Sequence, residues 1–138
     1  MLGIEEDIAD LKILGKLDLP AFIQDKKFEN ANFHLHHALE GVFNISSHLI
    51  SRVPGAAAAA YRDIALKMGE LGFVDKNFAE EALVKMAGYR NRIVHFYSEI
   101  TPQEYYKIIQ NHLGDFDKFL SHIKSVLEHP DTSGLTVE

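Results

Sequence analysis

Apolar positions recur every three to four residues along most of this chain, the spacing of helices that bury one face. Residues 4–17 place Ile4, Ile8, Leu11 and Leu14 on one side, and Gly15 weakens the end. Leu19-Pro20 breaks the pattern, and Pro20 can open a short turn holding Phe22 and Ile23. The longest run covers 27–52, with Phe28, Ala31, Leu35, Ala38, Leu39, Val42, Ile45, Leu49 and Ile50 in phase, until Pro54-Gly55 stops it. Ala56 to Met68 is helix-prone through its alanines, and Gly72 is placed to cap that helix. Asp75 can cap a fourth helix over 76–98. Its interior Gly88 costs about 1 kcal/mol against alanine unless close packing needs it. Thr101-Pro102-Gln103-Glu104 reads as a capping box with proline at N1. Tyr105, Ile109, Leu113, Phe116, Leu120, Ile123 and Leu127 then continue a fifth helix to Pro130. No strand pattern longer than a few residues and no repeat interrupts these runs. The expectation is an all-α fold, a five-helix antiparallel bundle forming one domain over 1–128, with a flexible tail over 129–138.

The totals narrow the function classes. At 138 residues, 46% apolar and 25% charged, the chain can bury a real core. It has no cysteine, which excludes a disulfide scaffold and thiolate metal ligands and suits a reducing compartment such as the cytoplasm. No apolar stretch approaches the length of a membrane span, and the acidic start Glu5-Glu6-Asp7 does not fit a signal peptide. A formal charge of −6 argues against a protein that coats nucleic acid through phosphate neutralisation, though not against a small basic cleft.

The fourth helix holds the candidates for chemistry. Projected at about 100° per residue, Arg90 falls within about 80° of Ala82, Leu83, Met86, Ala87, Ile93, Val94 and Tyr97, the centre of an apolar stripe. A guanidinium there needs a partner or a task, since an unpaired buried charge costs several kcal/mol. His95 points about 140° away, towards the side of Val84, Gly88 and Asn91. One helix does not easily aim both Arg90 and His95 at one phosphate, but two copies crossing in a symmetric dimer could each lend a histidine to the other's arginine. A histidine titrating near neutrality can move the proton of a ribose 2′-hydroxyl or of a leaving 5′-oxygen. An arginine can hold the phosphoryl oxygens and stabilise the added charge of the transition state. Asn91 could orient the imidazole or bind phosphate. The alternative is structural: Arg90 and Tyr97 pair with acids such as Glu40, and His95 is an ordinary surface histidine.

The other polar clusters say less. Lys85, Arg90 and Arg92, with Lys107 a candidate neighbour, are enough cations to steer one backbone segment and too few for tight non-specific binding. His34 and His37 share a helix face with His36 and His48 nearby, but no third ligand is in register for a metal, so solvent or interface positions are expected. Glu5, Glu6, Asp7 and Asp10 are read as favouring the first helix's dipole. Tyr61-Arg62-Asp63 offers either a contact with a neighbour or a packed tyrosine beside a surface ion pair.

His48-Leu49-Ile50, Tyr61-Arg62-Asp63-Ile64, Leu71-Gly72 and the run Lys85 to Tyr97 resemble the HepT-like branch of the HEPN superfamily, over about residues 4–127. The specific part is R-N-x-x-x-H-x-Y, met by Arg90, Asn91, His95 and Tyr97. The resemblance implies an all-α homodimer with a composite cleft between paired fourth helices. It implies a metal-independent endoribonuclease toxin of a toxin–antitoxin system that cuts RNA, tRNA or mRNA, and needs no cofactor. Arg90 and His95 match the catalytic positions and Asn91 the supporting one. Tyr97 matches the tyrosine that a cognate minimal nucleotidyltransferase antitoxin modifies with AMP from ATP. Some relatives act as partners without nuclease activity, so the other reading is a non-catalytic helical subunit that docks the nucleotidyltransferase. Phe33 falls where relatives often carry an arginine and Asn44 where they carry an acid, while Glu40 keeps the acid common among them.

Overall fold

The helices form where the apolar spacing places them, but several are shorter or divided. The computed structural model describes residues 2–24, 27–95 and 100–129, with the backbone alone at Leu2 and His95. Among these residues every regular element is helical: α1 (Leu2–Leu14), α2 (Leu19–Ile23), α3 (Lys27–Ser51), α4 (Tyr61–Glu70), α5 (Lys76–Phe78), a π-helical turn (Ala79–Leu83), α6 (Val84–His95), α7 (Pro102–Asn111) and α8 (Leu113–Glu128). The expected all-α class is met, whereas the five continuous helices are replaced by more, shorter segments. The expected tail lies outside the described residues except for His129.

Each departure has a local cause. The short turn after Pro20 is a helix of its own, α2, capped by Asp18, whose carboxylate accepts from the Ala21 N–H. The alanine run stays out of the third helix. Gly55 has φ +82, Ala60 is extended, and α4 starts at Tyr61 with no side-chain cap. Alanine propensity alone does not sustain a helix of one or two turns that has little to bury. Gly72 does end α4 as expected. At φ +80 it accompanies hydrogen bonds from Phe73 N–H to Met68 O and from Gly72 N–H to Gly69 O, a Schellman ending. Asp75 stands at the start of α5 without making a capping bond; its carboxylate lies 3.4 Å from His122 Nε2 instead. The expected fifth helix breaks at His112, which has φ −123, and the weak helix formers Asn111, His112 and Gly114 cluster at the break.

The described helices pack into two units. One comprises Met1–Gly41 and Tyr89–Asp117. It buries Ile4, Ile8, Leu11, Phe22, Leu35, Leu39, Ile93, Ile108 and Phe116. Tyr106 lies over Phe22, with ring centroids 5.4 Å apart, and its hydroxyl donates to Leu17 O at 2.8 Å, tying α7 to the loop after α1. The Tyr105 hydroxyl donates to the Asn32 side chain, tying α7 to α3. The other unit comprises Val42–Gly88 and Lys118–Glu138. It buries Phe43, Met68, Phe73, Leu83, Phe119 and Ile123, and Tyr61 packs edge-on against Phe43 at 5.2 Å. Ile45 is half-buried and Leu127 exposed; Phe43, Ser46 and Val126 occupy the buried positions beside them. No helix among the described residues is long and apolar enough to cross a membrane.

Glycines in the second unit and in α8 give opposite expectations. A Cβ on Gly69 would lie 2.6 Å from Ala79 Cβ and 3.3 Å from Lys76 Cα, whereas one on Gly114 would meet nothing within 4 Å. Gly69→Ala should therefore lower stability by about 1–3 kcal/mol. Gly114→Ala should raise it by about 0.5–1 kcal/mol. Urea unfolding of both variants checks the pair, and equal effects would contradict the packing described.

Candidate functional site

Helix α6 begins after a π-helical turn, in which Val84 N–H bonds to Ala79 O, one residue further back than in an α-helix. The wider turn shifts the phase of the residues before it. A uniform projection therefore misplaces Ala82, which is only half-buried, and Val94 at the other end is exposed. Met86, Ala87 and Ile93 are buried, and Arg90 falls in phase with them, its side chain 15% exposed.

Among the described residues, Arg90 pairs with Glu40 of α3. Arg90 Nε donates to Glu40 Oε1 at 2.6 Å, and Nη1 donates to Asn91 Oδ1 at 3.5 Å. His36, one turn before Glu40, sets its Nε2 3.5 Å from the same carboxylate oxygen. The structural alternative for Arg90, a pair with an acid such as Glu40, is thus realised. It does not remove the arginine from chemistry. A grip on Nε fixes the plane of the guanidinium, which is how an arginine is pre-organised to receive phosphoryl oxygens. Arg90 and Asn91 are brought together as expected. Of His95 the structure describes only the backbone, as the last residue of α6, and Tyr97 lies outside the described residues.

Arg92 has a different task. Its Nη1 and Nη2 donate to Glu104 at 2.9 and 3.1 Å, a bidentate pair. Glu104 also closes the expected capping box. Its N–H donates to Thr101 Oγ1 at 3.2 Å, and its carboxylate accepts from the Thr101 backbone. The hydrogen bonds from Arg92, then its charge and the Thr101 bond, hold the Glu104 carboxyl below the ordinary glutamate range. Lys107 attracts the same carboxylate. Arg92 and Lys107 therefore both act on the carboxylate of Glu104. Beside them, burial and then the charge of Asp115 push the Tyr89 phenol above its ordinary range, against the pull of Arg92.

One constellation was not anticipated. Asp7 is 5% exposed, and it does more than sit near the start of α1: its carboxylate accepts from His34 Nδ1 at 2.9 Å and from His37 Nδ1. The signal was present in the spacing, because Asp7 shares the stripe of Ile4, Ile8 and Leu11 just as Arg90 shares that of α6. Among the described residues no group of three or more metal-ligating side chains could hold an ion.

Comparison with known proteins gives a family and two relatives. A family model described as ribonuclease HepT-like matches residues 4–123. A protein described as an RNase from Archaeoglobus fulgidus is 27% identical over 96 residues, covering 70% of this chain and 71% of that protein. An mRNA nuclease HepT from Shewanella oneidensis is 26% identical over 92 residues, covering 67% and 68%.

Two outcomes follow from the ion pairs. Glu40→Ala should cost about 1–3 kcal/mol in urea unfolding, and Glu40→Gln less, because it keeps an acceptor for Arg90 Nε. Equal, negligible losses would contradict the role given to the pair. The lowered pKa of Glu104 means that its contribution is complete above a glutamate's ordinary value, near 4.5, and is lost as pH falls through the lowered native value. Wild-type stability should therefore drop more steeply than that of Glu104→Gln below about pH 5. Parallel pH profiles of unfolding would contradict this.

Proposed function

Because this chain belongs to the ribonuclease HepT-like family, we propose that it is an endoribonuclease toxin that cuts RNA, with mRNA or tRNA as substrate, in the cytoplasm. The observation that carries this reading is the half-buried Arg90, gripped at Nε by Glu40 and flanked by Asn91. The scissile phosphodiester sits against the Arg90 guanidinium. The ribose 2′-hydroxyl attacks the adjacent phosphorus as internal nucleophile, and the bond to the 5′-oxygen of the next nucleotide breaks. His95 moves the proton, as general base to the 2′-hydroxyl or as general acid to the leaving oxygen. Arg90 stabilises the extra charge of the five-coordinate transition state. Asn91 orients the guanidinium or the imidazole. The products are a 2′,3′-cyclic phosphate and a 5′-hydroxyl. This route draws on no metal and no cofactor.

The site is composite in this reading. Arg90 and His95 are offset by about 7.5 Å along α6 and about 140° around it, so a second copy of the chain supplies the histidine that faces each arginine. Tyr97, two residues beyond His95, is the control point. A cognate minimal nucleotidyltransferase antitoxin transfers AMP from ATP to its hydroxyl, and the added phosphate charge and bulk repel an RNA backbone from the cleft.

Purified protein whose intact mass excludes AMP should cleave tRNA or mRNA in EDTA, leaving 2′,3′-cyclic phosphate ends. Arg90→Ala and His95→Ala should each lose at least about 100-fold in rate while staying folded. Cleavage retained by folded His95→Ala would overturn the assignment. Co-expression with the nucleotidyltransferase should add AMP to wild type and not to Tyr97→Phe. Stable association with the nucleotidyltransferase, without any cleavage by the unmodified dimer, would favour the docking-subunit reading instead.

A further inference from the structure

Phe33 is an anomaly on α3. It is 64% exposed, and its neighbours one turn away on the same face, Glu29, Asn30, His36 and His37, are all polar. A protein partner needs a contiguous apolar patch of several side chains, and this face provides a single ring. The ring is nonetheless set in ordered surroundings. His37 lies nearly parallel to it, at 4° with centroids 6.2 Å apart, and His34 meets it edge-on at 5.2 Å.

The two imidazoles are held by an expensive device. Asp7, buried beneath them, accepts from Nδ1 of both. A carboxylate carries no proton to give, so each Nδ1 must donate. That orients each ring and turns the Nε2 edge of His37, whose side chain is 61% exposed, towards solvent. The two bonds that satisfy the buried acid also fix both rings, one half-buried and one exposed, and a carboxylate on one imidazole nitrogen is a familiar way of aiming the other at a ligand.

We propose that Phe33 and His37, oriented through Asp7, form a stacking shelf for a nucleobase of the RNA, next to the phosphate held by Arg90. The proposal rests on the ribonuclease reading of the Arg90 site. Two arguments select a base over other ligands. Planar, uncharged faces stack on exposed aromatic rings whatever their sequence, and the polar edge of a base can meet the His37 Nε2 edge. Charge disfavours the phosphate itself here, because Asp10 stands 3.7 Å from His34 Nε2 and Glu29 one turn before Phe33. The shelf is continuous with the Arg90 site along α3. Phe33, His36 and Glu40 form one stripe, and His36 and Arg90 share the Glu40 oxygen. Two helical turns, about 10 Å, separate Phe33 from Glu40, which suits a nucleotide flanking the scissile bond.

The chain has no tryptophan, so Phe33→Trp introduces a single reporter at an exposed position. Leu127→Trp, at another exposed apolar position, serves as the control. The probe is a single-stranded oligonucleotide with 2′-O-methyl riboses, which cannot supply the attacking hydroxyl. The expected result is saturable quenching of Phe33→Trp and none of Leu127→Trp. Phe33→Ala should weaken probe binding, or raise the KM for cleavage of unmodified RNA, by about 5- to 100-fold, and Phe33→Tyr should largely restore it. Wild-type protein that binds or cuts RNA, with Phe33→Trp unquenched and Phe33→Ala unchanged in affinity and KM, overturns the shelf and leaves the ribonuclease reading standing. Wild type that neither binds nor cuts RNA overturns both. A blue shift of Phe33→Trp emission that grows with protein concentration in the absence of RNA also overturns the shelf, by assigning Phe33 to contact between copies.

Discussion

A guanidinium on the apolar face of α6 sets a condition that its unit must meet. Leaving Arg90 buried without a partner would cost several kcal/mol, a large share of the 5–15 kcal/mol typical of a domain. Glu40 meets that condition from α3, at 2.6 Å and from a half-exposed position. The pair fixes which residues of α3 and α6 face each other within the first unit. It also fixes the guanidinium plane, the feature on which the proposed phosphate site rests. The same carboxylate oxygen reaches His36, which links the site to the polar stripe of α3.

A second buried polar constraint lies at α1. Asp7 interrupts the Ile4, Ile8, Leu11 stripe and is resolved by two imidazoles from α3. Arg92 and Glu104 make a third pair, joining the end of α6 to the start of α7 through a closed capping box. Arg90 keeps a catalytic role in this account, whereas Arg92 is occupied in starting α7.

Much of the fold was legible in the sequence because its cues were local. The Thr101 capping box, the Gly72 ending and the long α3 stripe all depend on residues a few positions apart. The divisions of the helices were harder to read. The alanine run has helix propensity but little to bury, the π-helical turn changes the phase that a uniform projection assumes, and the break at His112 lies inside an unbroken apolar pattern. At the site, Arg90 stands out as a charge in an apolar stripe, and Glu40 is an acid within the longest helical run that can pair with it. Asp7 carries the same signal, but the acids around it at 5, 6 and 10 obscure its phase. Periodicity reports that a polar residue is buried; it does not report which distant side chain satisfies it.

The central claim is that Arg90 of one copy and His95 of another act on one phosphodiester. Mixing Arg90→Ala with His95→Ala protein under conditions that exchange subunits tests it directly, with RNA cleavage as the readout. Each variant alone should be inactive. A mixed dimer holds one site with both wild-type residues, so activity should reappear on mixing and grow with the fraction of mixed dimer. Active wild type, together with a fully exchanged mixture that stays as inactive as its components, would contradict a site shared between copies.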